Sequence, residues 1–193
     1  MTPRRQALMA GLLLWGVLAV PPVRRSLESG MVTHALQMAL LVVVGGILGR
    51  ALGSITREEF AGCNHFGVTG TVLALFTLAV WLLPVSLDRA RDIPGWEVAK
   101  FVSLPLLAGL PLARSWSRLP PVARGALWAN AIPMAIVMGW LYRDAPIRLC
   151  NNYLVGDQKL LGLGLWGVAV VLAAWGMVRA LVGSTPMTSR PPL

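Results

Sequence analysis

Charge is what this sequence has least of. Only 13% of its 193 residues are Asp, Glu, Lys or Arg, about half of the roughly 25% usual for a soluble domain. Titratable chemistry is equally thin, with two histidines, two cysteines and eight acids in the whole chain. The sequence carries no glycine-rich phosphate loop, no internal repeat and no polar stretch long enough to bury a core of its own. Its acids fall in the connections rather than as pairs inside apolar runs, and no Ser, His and acid stand in an order that argues nucleophilic catalysis. No catalytic residue is assigned, and an enzyme is not expected.

What is present is apolar. Hydrophobic residues make up 56% of the chain, and they cluster into six runs at about 7–22, 32–49, 66–83, 99–113, 125–142 and 160–182. Each approaches the ~20 residues that cross a ~30 Å hydrocarbon core. A backbone in hydrocarbon must satisfy its own hydrogen bonds, and the runs lack the alternation of a membrane barrel, so each span is read as a helix. The expected fold is all-α: a polytopic integral membrane helix bundle of about six transmembrane helices. Residues 1–183 form one such domain, and the polar, proline-rich 184–193 a disordered tail. Pro105 and Pro111 in the fourth run and Pro133 in the fifth are read as kinks. The first run follows Arg4 and Arg5 as a signal peptide would, but Val20-Pro21-Pro22-Val23 offers no small-x-small cleavage site, so a retained helix is expected.

Loop charge decides orientation only narrowly. With the N-terminus in the cytoplasm, nine basic residues fall inside and eight outside. Both termini are placed inside, in a cell's inner (cytoplasmic) membrane. The net charge of +9 is spread over both faces, so lipid headgroups of the bilayer, and no nucleic acid, are the partners it suggests. Arg114, Arg118 and Arg124 read as an orientation anchor, Trp81, Trp96, Trp128 and Trp140 as an interfacial belt, and Lys100 as a side chain snorkelling to the interface.

The polar residues gather at one end, the outer one in this orientation. Alternating helices bring His34, the segment from Asp88 to Lys100 and the loop 148–158 to that end, and His65 to the other. His65 is therefore too far from His34 to share a haem iron with it. Met31, His34 and Met38 stand at i, i+3 and i+7, one stripe of a helix. An imidazole and two thioethers, with Cys150 in the facing loop, make a ligand set suited to Cu(I). The competing reading is packing: methionine fills apolar helices, and a histidine near an interface hydrogen-bonds a neighbouring helix. In RLCNNYLVGDQ, Arg148, Asn151, Asn152 and Asp157 form a candidate cofactor or partner site for a quinone head group, a haem propionate or another membrane subunit. Against that stands the ordinary use of Asn-Asn and Gly-Asp in turns and helix caps. Cys63 and Cys150, on opposite faces, are not expected to pair.

Residues 34–41, HALQMALL, resemble the second-helix motif of the CtaG-type cytochrome c oxidase assembly proteins, where a histidine is followed four positions later by another in an H-x-x-Q-H-x-L-L-like run. His34, Gln37, Leu40 and Leu41 match, and Met38 takes the place of the second histidine. The resemblance implies an accessory or assembly protein of a respiratory complex of the cytochrome oxidase type, associated with copper and working among other membrane protein subunits. Haem is the lesser cofactor alternative. A non-metal membrane subunit, or a small-solute carrier using the 148–158 loop, remains the other class.

Overall fold

The computed structural model describes residues 2–52, 64–145 and 149–183, and these are helices and their connections, with no strand. The tail 184–193, Cys63 and Arg148 lie outside the described residues. Helix α1 spans Pro3–Ala19, α2 Pro21–Leu27, α3 Met31–Ala51, α4 Val68–Leu82 and α5 Pro84–Asp92. Helix α6, Pro94–Ser103, runs through a π-helical turn, Leu104–Gly109, into α7, Leu110–Ser115; α8 is Pro121–Asp144 and α9 Val155–Gly183. Among the described residues, four rods are long and apolar enough to cross a membrane: α3, the continuous α6–α7, α8 and α9. Counting the bent pairs α1–α2 and α4–α5 as one span each brings the number up to six. The chain is a multi-pass helical bundle whose outward side chains, such as Val170 at 68% exposure and Leu181 at 70%, are apolar.

Proline sets the shape of the end where the polar residues gather. A residue preceding proline is pushed out of the helical region, and Val20 (φ −60°, ψ 126°) and Leu83 (φ −68°, ψ 131°) are both extended. Each break turns the chain by 73°, so the short α2 and α5 leave the axes of α1 and α4 at the same angle. The runs expected at 7–22 and 66–83 are therefore each a helix with an elbow at or beside its C-terminal end. Helix α5 buries Ser86, Leu87 and Ala90 while Arg89 and Arg91 stay exposed.

The core is built around α3, which packs against α1, the π-helical turn, α7 and α9. Its buried side carries Met31, His34, Gln37, Met38, Leu41, Val44, Gly45 and Leu48, the 3–4 spacing of one helix face. Pro105 acts on the partner helix: it has no N–H to give the carbonyl four residues back, and Trp15 Nε1 donates to that Phe101 oxygen at 3.1 Å. Beyond it the backbones touch. A Cβ on Gly45 would run into the Pro105 carbonyl, and one on Gly109 into the Val42 carbonyl. Gly45 and Gly49 form a small-xxx-small pair, the spacing that lets membrane helices approach closely.

Trp81 departs from the expected interfacial belt. It is 4% exposed, its Nε1 donates to Ser103 Oγ at 2.8 Å, and its ring meets Trp96 edge-on. An indole N–H inside a bundle must find an acceptor, and Ser103 on α6 supplies it. At the far end the arginines serve backbone carbonyls: Arg4 Nε donates to Ala51 O at 2.7 Å, and Arg118 Nη1 to Asn64 O, in the turn before α4, at 3.2 Å.

The close approach is testable with two neighbouring glycines. Gly45→Ala should lower the thermal unfolding midpoint in detergent, because its methyl group meets backbone. Gly46→Ala, whose Cβ meets nothing within 4 Å, should leave it unchanged or raise it, since alanine is favoured in a helix by up to about 1 kcal/mol. Equal midpoints for the two variants would show that the α3 backbone does not touch the π-helical turn.

Candidate functional site

One lysine organises the buried polar chemistry. Lys100 comes from the second turn of α6, where the sequence suggested a side chain reaching out to the interface; it is instead 0% exposed. Its Nζ lies 2.6 Å from Glu28 Oε1, 2.8 Å from His34 Nε2 and 2.9 Å from Gln37 Oε1. An ammonium has three N–H bonds and no lone pair. Three acceptors from the other elements take all three, which removes any reason for the chain to snorkel.

The donor pattern fixes the rest. With Lys100 donating to Nε2, His34 is the neutral imidazole with its proton on Nδ1. Nδ1–H then donates to the Tyr153 hydroxyl at 2.6 Å, and that hydroxyl donates on to the Glu28 backbone oxygen at 3.4 Å. The ring closes on the residue where it began. Gln37 must present Oε1 to the ammonium, so its Nε2 faces away, buried and without a partner among the described residues. A stranded buried donor of this kind costs about 1–3 kcal/mol. One positive and one negative group are enclosed together, and neutrality inside the bundle is preserved.

Each member is positioned by local sequence. His34 and Gln37 stand one turn apart on the buried side of α3. Glu28 terminates α2 at the elbow before Gly30. Tyr153 arrives on the segment 149–154 between α8 and α9, and that segment is held from both sides. Asn151 N and Asn152 N donate to the two Asp88 carboxylate oxygens at 2.8 and 3.3 Å, and Asn152 Nδ2 donates to Asp92 at 2.9 Å. Leu149 N donates to the buried Gln158 Oε1 at 3.0 Å, and Arg91 lies over the Tyr153 ring. Arg24 and Glu97 form an ion pair beside the cluster, joining α2 to α6.

The candidate residues from the sequence divide on these facts. His34, the segment ending at Lys100 and the 149–158 loop do converge. Met31, His34 and Met38 share the buried face of α3 as expected. Their arrangement does not fit Cu(I), however: both His34 nitrogens are spent, and an ammonium stands 2.8 Å from Nε2, where it would repel a metal cation. Cys150 is buried, with Sγ 3.7 Å from Pro84 O. Burial, reinforced by the Asp88 carboxylate, pushes its thiol up to about 12, against the thiolate a metal needs. Among the described residues no three His, Cys, Asp or Glu side chains gather as a ligand set. The same lone-pair count leaves His34 no nitrogen for haem iron.

Asn152 gives α5 both its backbone N–H and its side-chain amide, Asn151 gives it a backbone N–H and keeps an exposed side chain, and Asp157 sits in the first turn of α9, where a carboxylate favours the helix dipole. Sequence reasoning missed Glu28 altogether and placed Lys100 wrongly. The available signal was an acid and a lysine, each flanked by apolar spans whose helix faces meet, since a charge at such a position seeks a partner. His65 is exposed at the other end, stacked edge-on against Phe66.

Glu28 and Lys100 give a double-mutant cycle. Lys100→Met and Glu28→Gln should each destabilise the detergent-solubilised protein by about 3–5 kcal/mol, the usual result of leaving one buried charge alone. The double variant should cost well under the sum, by about 2 kcal/mol or more. Single variants within about 0.5 kcal/mol of wild type would mean that the pair is solvated.

Compared with protein-family models, curated proteins and solved structures, the chain matches none.

Proposed function

We infer that the chain is an integral membrane accessory or assembly protein of a respiratory complex of the cytochrome oxidase type, in the cytoplasmic membrane. The observation that carries this reading is where the polar residues of the HALQMALL stretch go. His34 and Gln37 are both committed to Lys100, so the stretch that resembles the oxidase assembly proteins is also the stretch that builds the bundle's buried charge cluster. Ionisable groups inside membrane helices are expensive and mark working regions. Here they lock α2, α3, α6 and the 149–154 segment into one surface.

In this arrangement the cluster is a positioning device and not a metal cup. The strap carrying Asn151, Asn152 and Tyr153 is fixed by the network below it and by Asp88 and Asp92 beside it, so it presents a preorganised face at one end of the bundle. A face of that kind suits docking of another membrane subunit, because little ordering entropy remains to be lost on contact. The copper-handling version of this function would require Lys100 to leave Nε2 before His34 could coordinate.

Removing the gene from its host should lower the haem–copper oxidase signal in membrane difference spectra, together with oxygen consumption. Wild type and Met38→Leu should restore both, whereas Tyr153→Phe, which deletes only the hydroxyl joining the strap to His34, should restore them partly at equal protein abundance. Unchanged oxidase content on gene removal would refute the reading. Failure of Met38→Leu alone would instead favour a metal contact through that thioether.

A further inference from the structure

Helices α4 and α6 leave a groove between them that the polar network does not use. Its α4 wall is Leu73, Phe76, Val80 and Trp81, at the spacing of one helix face, and its α6 wall includes Trp96 and Ala99. The groove has a volume of about 670 Å³, within the ~300–1,000 Å³ range of ligand pockets. It extends roughly 12 Å along α4, from Leu73 to Trp81, at ~1.5 Å per residue. Its lining is almost wholly apolar, and Trp81 spends its indole N–H on Ser103, so a polar ligand would find little to bind in its depth.

The polar end of the groove is different. Trp96 forms its rim, and the Arg89 guanidinium lies over the Trp96 ring, 5.2 Å from the centroid. Four acids of this end bond to other groups. Glu28 holds Lys100, Glu97 holds Arg24, and Asp88 and Asp92 accept from the strap amides. Arg89 is exposed and makes no ion pair among the described residues. A cation is therefore held against an aromatic rim, directly above an apolar slot that descends into the bundle.

We propose that this groove binds one anionic glycerophospholipid, with an acyl chain lying between α4 and α6 and the phosphate paired with Arg89. Charge complementarity selects the occupant. A zwitterionic lipid would fill the slot equally well, but its own head-group ammonium offsets its phosphate, whereas an anionic lipid brings a net negative charge to the Arg89 guanidinium, which pairs well with phosphate. The site lies at the same end as the strap, and it does not depend on the function proposed above.

Native mass spectrometry of the full chain, delipidated in detergent and offered equimolar phosphatidylglycerol and phosphatidylcholine, tests the assignment. Wild type should retain phosphatidylglycerol in preference by about fivefold, the ratio expected from ~1 kcal/mol per basic residue at a membrane surface. Arg89→Ala should abolish the preference while still binding some lipid of either kind, and Arg89→Lys should keep most of it. Ala99→Trp, which fills the slot from α6, should reduce both lipids. Arg179→Ala, which removes another arginine stacked on a tryptophan, Trp175, should change nothing. Equal retention of the two lipids by wild type, or an undiminished preference in Arg89→Ala, would overturn the site. So would loss of preference in Arg179→Ala to the same extent.

Discussion

A lysine ammonium sealed inside an apolar bundle is the constraint on which this end of the structure depends. Burying an unpaired charge costs many kcal/mol, and the group persists only where its hydrogen-bonding capacity is filled. Lys100 meets that condition with Glu28, His34 and Gln37, and each acceptor then inherits a requirement of its own. His34 must carry its proton on Nδ1 and needs an acceptor for it, which Tyr153 provides. Tyr153 lies on a segment with no regular secondary structure, so that segment must be tied down elsewhere, and Asp88 and Asp92 do this through backbone and side-chain amides. The positions of α2, α3, α5, α6 and the strap thus follow from the coordination of one nitrogen.

Just past Lys100 the rod that carries it lies unusually close to α3, at the π-helical turn. Glycine at 45 and 109 removes the side chains that would hold them apart, and Pro105 opens the α6 backbone into a wider turn whose freed carbonyl is taken by Trp15. The apolar contacts of α3 with α1 and the π-helical turn provide the non-specific attraction. The network adds register, since sliding α6 by one residue would swing Lys100 about 100° away from its acceptors. The hairpin of α8 and α9 is built differently: Gly139 and Gly162 let its two helices touch, and most of its surface faces outward.

The helical runs were legible in the sequence because hydrocarbon leaves the backbone few choices, and the apolar stretches map onto α1, α3, α4, α6–α7, α8 and α9. The elbows were written in Val20-Pro21 and Leu83-Pro84, but their consequence, two short helices turned from their spans by the same angle, depends on packing. For the site, spacing gathered His34, the segment ending at Lys100 and the 149–158 loop at one end, but it could not show that both His34 nitrogens are taken by Lys100 and Tyr153. Met31, His34 and Met38 form a stripe, as spacing requires, yet spacing along one helix says nothing about what the facing helix presents. Lys100 was the deciding residue, and it looked like any lysine at the edge of an apolar run. Only the facing acid, Glu28, distinguishes a buried lysine from a snorkelling one, and that pairing spans 72 positions of sequence.

With two lysines and two histidines in the chain, the central contact can be observed directly. Solid-state NMR on lipid-reconstituted protein, with ¹⁵N-lysine and ¹³C,¹⁵N-histidine labelling, reports dipolar coupling between a lysine Nζ and an imidazole ring, and Lys159→Arg leaves Lys100 as the sole lysine signal. The account predicts a strong correlation from Lys100 Nζ to the His34 ring carbons flanking Nε2, with the ring nitrogens showing the neutral tautomer protonated on Nδ1. An absent correlation, with Lys100 exchanging freely with water, would contradict it.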